Sequence, residues 1–357
     1  MFQKLFHKKG TGALLDTRPE EVRAKDYQFG EIVASANPVN WIQKPQITWR
    51  RFPIFNQNGS GSCVFQTMAK LMGIMYWLKN GQYVHFSATH GYQRRVNKPA
   101  PGMGGVDAFD IARKGVTLEE LAPSQNMTDA QMDGYKIASY KEKVGEIFKI
   151  NNYVILPIKN IDTVASVIQT TGKGVMVWFF FEYSEWTDVP FIKNPNLEPN
   201  GSSTVRHSVA AVDFTLWDGK KAIIIEDSWG PTFGLAGQRV ITEDFFKARN
   251  LFAAYPINFV FEEGAVDKPH YTFTKTLKFS PTFVTDPDVK ALQDILKYEG
   301  LFPANTDSTG YYGSVTAKAV LAFQKKYQVA PDAELDALQG RECGPKTIAK
   351  LNELYGS

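Results

Sequence analysis

Between residues 46 and 264 the chain places its helical patterns first and its strand-like runs last, and that order limits the folds open to it. Apolar residues recur at helical spacing over 64–79 and again over 105–114. Three strand-like runs follow: Val175-Met176-Val177-Trp178-Phe179-Phe180-Phe181, Ser208-Val209-Ala210-Ala211-Val212-Asp213-Phe214 and Ala222-Ile223-Ile224-Ile225-Glu226. Elements segregated in this way predict an α+β domain with a helical lobe and an antiparallel β lobe. A cleft between the lobes is the natural place for a site.

On either side the composition changes. Residues 1–45 are rich in charge and turn formers, and Asp16-Thr17-Arg18-Pro19-Glu20-Glu21 reads as a helix start, with Asp or Thr as the cap. That stretch is expected to be an arm or lid. Residues 265–287 carry Pro269, Pro281 and Pro287 among Thr and Ser, the composition of an extended linker. Over 288–357, helical spacing returns in Val289, Leu292, Ile295 and Leu296, in Ala319, Val320 and Phe323, and in Ile348 and Leu351. A compact three-helix domain is expected there.

Composition narrows the chemistry. At 357 residues and 43% hydrophobic content the chain can bury a large core. No apolar run reaches the 18 residues or so of a membrane helix, and no apolar leader follows Met1, so neither membrane insertion nor signal-peptide secretion is expected. The net charge of +3 lacks the clustered Lys and Arg of a nucleic-acid binder. Two cysteines, Cys63 and Cys343, exclude a disulfide framework and fit folding in a reducing cytoplasm. His85 and His90 stand five apart without further ligands, and neither a P-loop nor a dinucleotide fingerprint occurs, so no metal and no cofactor is expected.

The remaining chemistry concentrates around Cys63. In Gln57-Asn58-Gly59-Ser60-Gly61-Ser62-Cys63 an amide side chain lies six residues before a thiol, joined by Gly and Ser that allow a tight turn. The helical pattern that follows puts the sulfur in the first turn of a buried helix, where the macrodipole favours a thiolate. A thiol nucleophile also needs a base. His207 enters a strand-like run from a Gly201-Ser202-Ser203 loop, and Asp227 ends the next strand, so adjacent antiparallel strands would set the carboxylate beside the imidazole.

Gln57, Cys63, Val205-Arg206-His207-Ser208-Val209-Ala210-Ala211-Val212 and Asp227-Ser228-Trp229-Gly230 together resemble the papain-like cysteine peptidases in type, order and spacing, over roughly 46–264. Phe86-Ser87-Ala88 and Gly102-Met103-Gly104-Gly105-Val106-Asp107-Ala108-Phe109 look like that family's helix start and Gly-rich substrate-binding segment. The resemblance implies that Cys63 attacks an amide carbonyl while His207 takes the thiol proton. Gln57 and the Cys63 N–H would hold the oxyanion, Gly104 and Gly105 would pair with an extended peptide, and Trp229 would shield the histidine's hydrogen bond. Three departures stand out. Asp227 occupies the family's usual Asn position, Val64 replaces an aromatic after the nucleophile, and the Gly-rich segment is one residue shorter and lacks its cysteine. The stretch before Cys63 is also expected to be too short for the family's long inhibitory propeptide, which would leave any latency to the N-terminal arm or to location.

In the last 70 residues, Gly313-Ser314-Val315-Thr316 and Gly344-Pro345-Lys346-Thr347 each lead into an apolar helical face, with the Thr as cap or first-turn residue. With 289–296 these blocks resemble the peptidoglycan-binding-domain family over about 288–355. Tyr311, Tyr312, Asp307 and Gln324 are candidates for its contact surface. A peptidase tethered to such a module is expected to act on stem peptides or proteins of the bacterial cell wall, as a bacteriophage lysin or virion-carried enzyme, with the wall polymer and virion proteins as partners and no nucleic acid or membrane. The alternatives are a peptidase directed at virion or host proteins and an inactive papain fold in a wall-binding structural protein.

Overall fold

The computed structural model describes residues 10–24, 26, 38–186, 191–192, 195, 205–261, 269–299, 301–303 and 308–356. Two compact units, Met1–Glu262 and Glu263–Ser357, divide the chain. Residues 1–9, the loop 201–203, residues 265–268 of the expected linker and Asp307 lie outside the described residues.

The first unit begins with a short helix α1 (Glu20–Arg23), whose cap position is Pro19 rather than Asp16 or Thr17. Asp16 turns instead to Arg18, accepting from its backbone N–H and guanidinium. Helix α2 (Cys63–Asn80) is buried from Cys63 through Met75, so each of its faces must be apolar or paired. Around it lie α3 (Ala88–Tyr92), α4 (Gly105–Lys114), α5 (Asp129–Gly134) and α6 (Ser139–Ile147).

The sheet half follows: β1 (Phe148–Ile150), β2 (Tyr153–Ile155), helix α7 (Ile161–Thr171), β3 (Val175–Phe181), helix α8 (Tyr183–Trp186), β4 (Phe191–Ile192), β5 (Val205–Trp217), β6 (Lys220–Glu226), β7 (Gln238–Thr242), helix α9 (Glu243–Arg249), β8 (Asn250–Pro256) and β9 (Phe259–Phe261). Seven of these strands form one sheet in the order β2-β8-β3-β5-β6-β7-β4, and β1 pairs with β9 alongside. Among the described strands of this unit only β4 and β7 pair in parallel.

Successive side chains of β3 point to opposite faces. Met176 and Trp178 join the core around α2, whereas Val175, Val177, Phe179 and Phe181 join the core beneath α7 and α9. A strand covered on both faces reads as a continuous apolar run, which is why 175–181 carries no polar residue. Truncating Phe179 to Ala would cost about 3–5 kcal/mol. Across the α2 interface, Lys70 Nζ lies 2.6 Å from Glu226 Oε2 with both side chains buried. Glu226 Oε1 also accepts from the Phe52 N–H and from Gln238. This pair fixes α2 to the end of β6, one residue before Asp227.

The second unit holds three longer helices, α10 (Pro287–Tyr298), α11 (Ser314–Lys326) and α13 (Pro345–Tyr355), with a seven-residue helix α12 (Asp332–Leu338) before the last. Much of the expected linker belongs to this unit. Phe273 and Leu277 are buried in its core, β10 (Leu277–Lys278) pairs with β11 (Glu342–Cys343), and Asn352 exchanges two hydrogen bonds with the backbone of Phe273. Aromatic and Leu residues spaced through 271–279 find apolar partners, and their burial outweighs the disordering tendency of the surrounding Thr and Lys.

A duplicated device orders these helices. Gln293 Nε2 donates to Thr316 Oγ1 and to the carbonyl of Tyr311. Gln324 Nε2 donates to Thr347 Oγ1 and to the carbonyl of Glu342. Each Thr sits in the first turn of a helix with a Gly at its cap, and its hydroxyl serves a glutamine of the preceding long helix. Tyr312 and Gln324 are therefore buried and give no contact surface; Tyr311 remains half-buried, its ring 5.0 Å from that of exposed Phe283.

Candidate active site

The turn before Cys63 is built from strained or crowded positions. Asn58 and Gly59 take positive φ values of 47° and 79°, and the Ser60 N–H returns to the Gln57 carbonyl. Gly61 approaches the Gly102 backbone so closely that a Cβ would stand 2.7 Å from its nitrogen. Cys63 is the first residue of α2 and is buried. Three residues before it, Ser60 Oγ bonds Ser62 Oγ at 2.7 Å and so satisfies the local hydroxyls.

His207, on β5, lies in the same buried neighbourhood. Its Nε2 is 2.8 Å from Asp227 Oδ1, and its ring centroid is 5.0 Å from that of Trp229. The other ring nitrogen, Nδ1, meets no acceptor at hydrogen-bond geometry, although Cys63 is near enough to favour its proton. Burial alone would depress the imidazolium. The Asp227 charge, its hydrogen bond and Cys63 outweigh that cost and raise the His207 pKa to about 9. Asp227 shows the converse. Burial works against its charge, but His207, Arg239 and Trp186 together hold the carboxyl well below the usual carboxylate range.

Asp227 accepts four hydrogen bonds. Its Oδ1 takes the His207 bond and the Ser228 N–H at 2.7 Å; Oδ2 takes Trp186 Nε1 at 2.8 Å and Arg239 Nε at 3.1 Å. Gln57 is held as firmly, since its Oε1 accepts from Ser228 Oγ and its N–H bonds the Ser228 carbonyl. That leaves Gln57 Nε2 to donate to Ser60 O at 2.5 Å and to the carbonyl of Gly10 at 3.1 Å.

Gly10 belongs to the N-terminal arm, which threads the cleft. Trp229 Nε1 donates to the same Gly10 carbonyl at 3.0 Å. Farther along, Met103 N donates to Gly12 O and Leu14 N donates to Met103 O, a parallel pairing. The arm's backbone thus meets Met103 rather than Gly104 or Gly105. Gly104 caps α4, and Gly105 packs under Phe252 and Trp178, where a Cβ would be 2.8 Å from the Phe252 ring. Both glycines line a cavity of about 430 Å³ with Leu14, Leu15, Trp178 and Phe252. Glycine is required in the arm itself: a Cβ on Gly10 would stand 2.0 Å from Ser60 O, and one on Gly12 the same distance from Gly61 O.

The structure therefore gathers Gln57, Cys63, His207, Asp227 and Trp229 in one place and sets Gly104 and Gly105 beside it. Sequence reasoning missed Trp186, Ser228 and Arg239. The available signal for Arg239 was a lone cation within the strand pattern Gln238-Arg239-Val240-Ile241. Among the described residues no group of three metal-ligating side chains occurs; His90 bonds Glu142, and His85 stacks on Phe55. No helix among the described residues is long and apolar enough to cross a membrane.

This architecture is the papain-like fold, and residues 285–339 match the family described as "Putative peptidoglycan binding domain". Among solved structures it is similar to xylellain, a cysteine protease from Xylella fastidiosa, with a TM-score of 0.55 and 17% identity over 72% of this chain and all of that one. Among characterised sequences it is similar to chymopapain of Carica papaya, 25% identical over 247 residues, and to caricain of the same plant, 24% identical over 235 residues. Those alignments cover 65% and 64% of this chain, which spans 62% of the length of each relative.

Proposed function

We propose that the first unit is a cysteine endopeptidase and that the second directs it to bacterial cell wall, where peptidoglycan stem peptides are the substrate. One observation carries this reading: the Gly10 carbonyl, an ordinary peptide carbonyl, rests on Gln57 Nε2 and Trp229 Nε1 beside the Cys63 turn. A substrate carbonyl in that position would be attacked by the Cys63 sulfur. His207 would accept the thiol proton and pass it to the leaving amine, and Asp227 would keep the ring oriented. The Gln57 amide and the Cys63 N–H would stabilise the oxyanion, each such donor being worth about 10²–10³ in rate. No metal or cofactor enters the scheme.

The arm is read as a lid, since residues 10–18 must leave before a peptide can enter. In the second unit, the exposed Phe283 ring stacked near Tyr311 offers an aromatic surface for the wall polymer. A bacteriophage lysin or virion-borne enzyme, with virion proteins as further partners, is the setting that best suits a peptidase-type unit joined to a wall-binding type of module.

The arm's bonds to Gln57 and Trp229 beside Cys63 favour one alternative, a dormant papain fold serving as a wall-binding protein. Release of new free amino groups from purified sacculi and from casein separates the readings. The intact chain and Gly10→Ala, whose added Cβ expels the arm, are compared with Cys63→Ala. Cys63-dependent release from sacculi supports the proposal, and release from casein alone moves the substrate to ordinary proteins. No release from either substrate, even by Gly10→Ala, overturns the enzymatic reading.

A further inference from the structure

We propose that Arg239 is a positioning residue of this site, acting with Asp227 as one unit that keeps the carboxylate ionised and aimed at His207 throughout a catalytic cycle. The proposal rests on the peptidase reading of the site, and the geometry of the carboxylate motivates it. The two oxygens of Asp227 divide their partners: Oδ1 serves His207 and the Ser228 N–H, and Oδ2 serves Trp186 and Arg239. One oxygen faces the reacting imidazole and the other is an anchor. Both side chains of the Asp227–Arg239 pair are fully buried, and the guanidinium lies 5.5 and 5.9 Å from the ring centroids of Trp186 and Trp229.

A buried carboxylate needs a nearby cation, because water cannot solvate it. His207 supplies that cation only while protonated, and the mechanism requires it to give the proton to the leaving amine. At that moment Asp227 would face a neutral ring. Arg239 remains charged at every step, so the carboxylate neither takes up a proton nor swings away. An Asn in this place would need no such partner. Asp227 and Arg239 together thus replace one neutral amide, which accounts for an acid where the resembling family has Asn.

The groups that face this cluster come from several elements. Cys63 approaches on α2, His207 on β5 and Arg239 on β7, while Tyr183 on α8 lies near Cys63. Glu185 on α8 is engaged by Arg249 of α9 at 2.8 Å. Glu226, next to Asp227 in sequence, is directed to Lys70. Asp227 is thus the carboxylate in contact with the imidazole, and Arg239 is the cation bound to that carboxylate.

The test is a ¹⁵N-histidine NMR titration of the full chain, with the His207 signal assigned by its loss in His207→Asn. Wild type should lose the ring proton near pH 9. Arg239→Gln should raise that midpoint by about one pH unit, because the carboxylate then acts on the ring uncompensated. Asp227→Asn should lower it, and adding Arg239→Gln to Asp227→Asn should raise it again. In hydrolysis, Arg239→Gln should reduce kcat about tenfold with KM unchanged, and Arg239→Lys should restore part of the loss.

If Arg239→Gln titrates with wild type, Arg239 is packing only and the proposal is overturned. If that variant does not fold, the comparison of Asp227→Asn with the double variant decides, and equal midpoints overturn the proposal. The titration needs no turnover. A chain that shows the coupling but cuts no substrate contradicts the peptidase reading alone, and one that cuts substrate without the coupling contradicts only the role of Arg239.

Discussion

Cys63 and Cys343 are equally hidden from solvent and both are free thiols, yet their surroundings differ in kind. Cys63 opens an eighteen-residue helix beside a histidine whose partner, Asp227, is held by three further groups. Cys343 lies in a two-residue strand in the core of the second unit. Burial there, reinforced by the Glu342 carboxylate, pushes its thiol up to about 12. The same contrast runs through the two units. The first buries charges, in Lys70–Glu226, Arg249–Glu185 and Arg239–Asp227, whereas the second orders its helices with neutral Gln–Thr pairs. Neutral pairs supply geometry at modest desolvation cost, so a chain needs buried charge mainly where charge itself does something.

That contrast can be broken or sharpened by substitution. The largest effect is expected for Cys63→Ala, which should lower kcat on wall peptides by about 10³-fold or more, while Cys343→Ala leaves kcat unchanged; rates on the same substrate preparation check both. Next comes Lys70→Met, which strands Glu226 in the interior. It should cost the first unit about 3–5 kcal/mol in denaturant unfolding, with the transition of the second unit unmoved. Replacing Gln324 with Leu leaves the Thr347 hydroxyl and the Glu342 carbonyl without that donor, and should cost the second unit about 1–3 kcal/mol. Gln293→Leu should match it if the duplicated device is energetically a repeat.

The smallest effect is in pH dependence. The raised His207 pKa stabilises the folded first unit fully below its unfolded value of 6.5, and this contribution is lost as pH rises toward about 9. The Tm of the first unit should therefore fall across that window, and Asp227→Asn should flatten the fall. The depressed Asp227 value adds stability present above the ordinary carboxylate pKa and lost as pH drops below it.

Local pattern carried much of the fold into the sequence. The Gly-Ser turn, the helix starting at Cys63 and the run 175–181 were legible because neighbouring residues decide them. What was not legible depends on distant partners. Arg239 reads as a solvent-facing strand residue until Asp227, twelve positions earlier, is placed against it. Trp186 lies in a four-residue helix with no periodicity to announce it, and Ser228 gains its role only when Gln57 arrives from 171 residues away. The stretch 271–279 resembled linker because its composition is Thr- and Lys-rich, while its few apolar side chains proved to be core. The arm's place on Met103 depends on Gly10 and Gly12 passing over Ser60 and Gly61, a close approach between distant segments.

The measurement that bears most directly on this account is iodoacetamide labelling of the full chain at neutral pH, read by peptide mass analysis at both cysteines, in wild type and in Gly10→Ala. The account predicts that Cys63 is alkylated, faster once the arm is expelled and far more slowly in His207→Asn, while Cys343 stays unmodified in every chain. Equal labelling of the two cysteines, or a Cys63 that remains unreactive in Gly10→Ala, would contradict it.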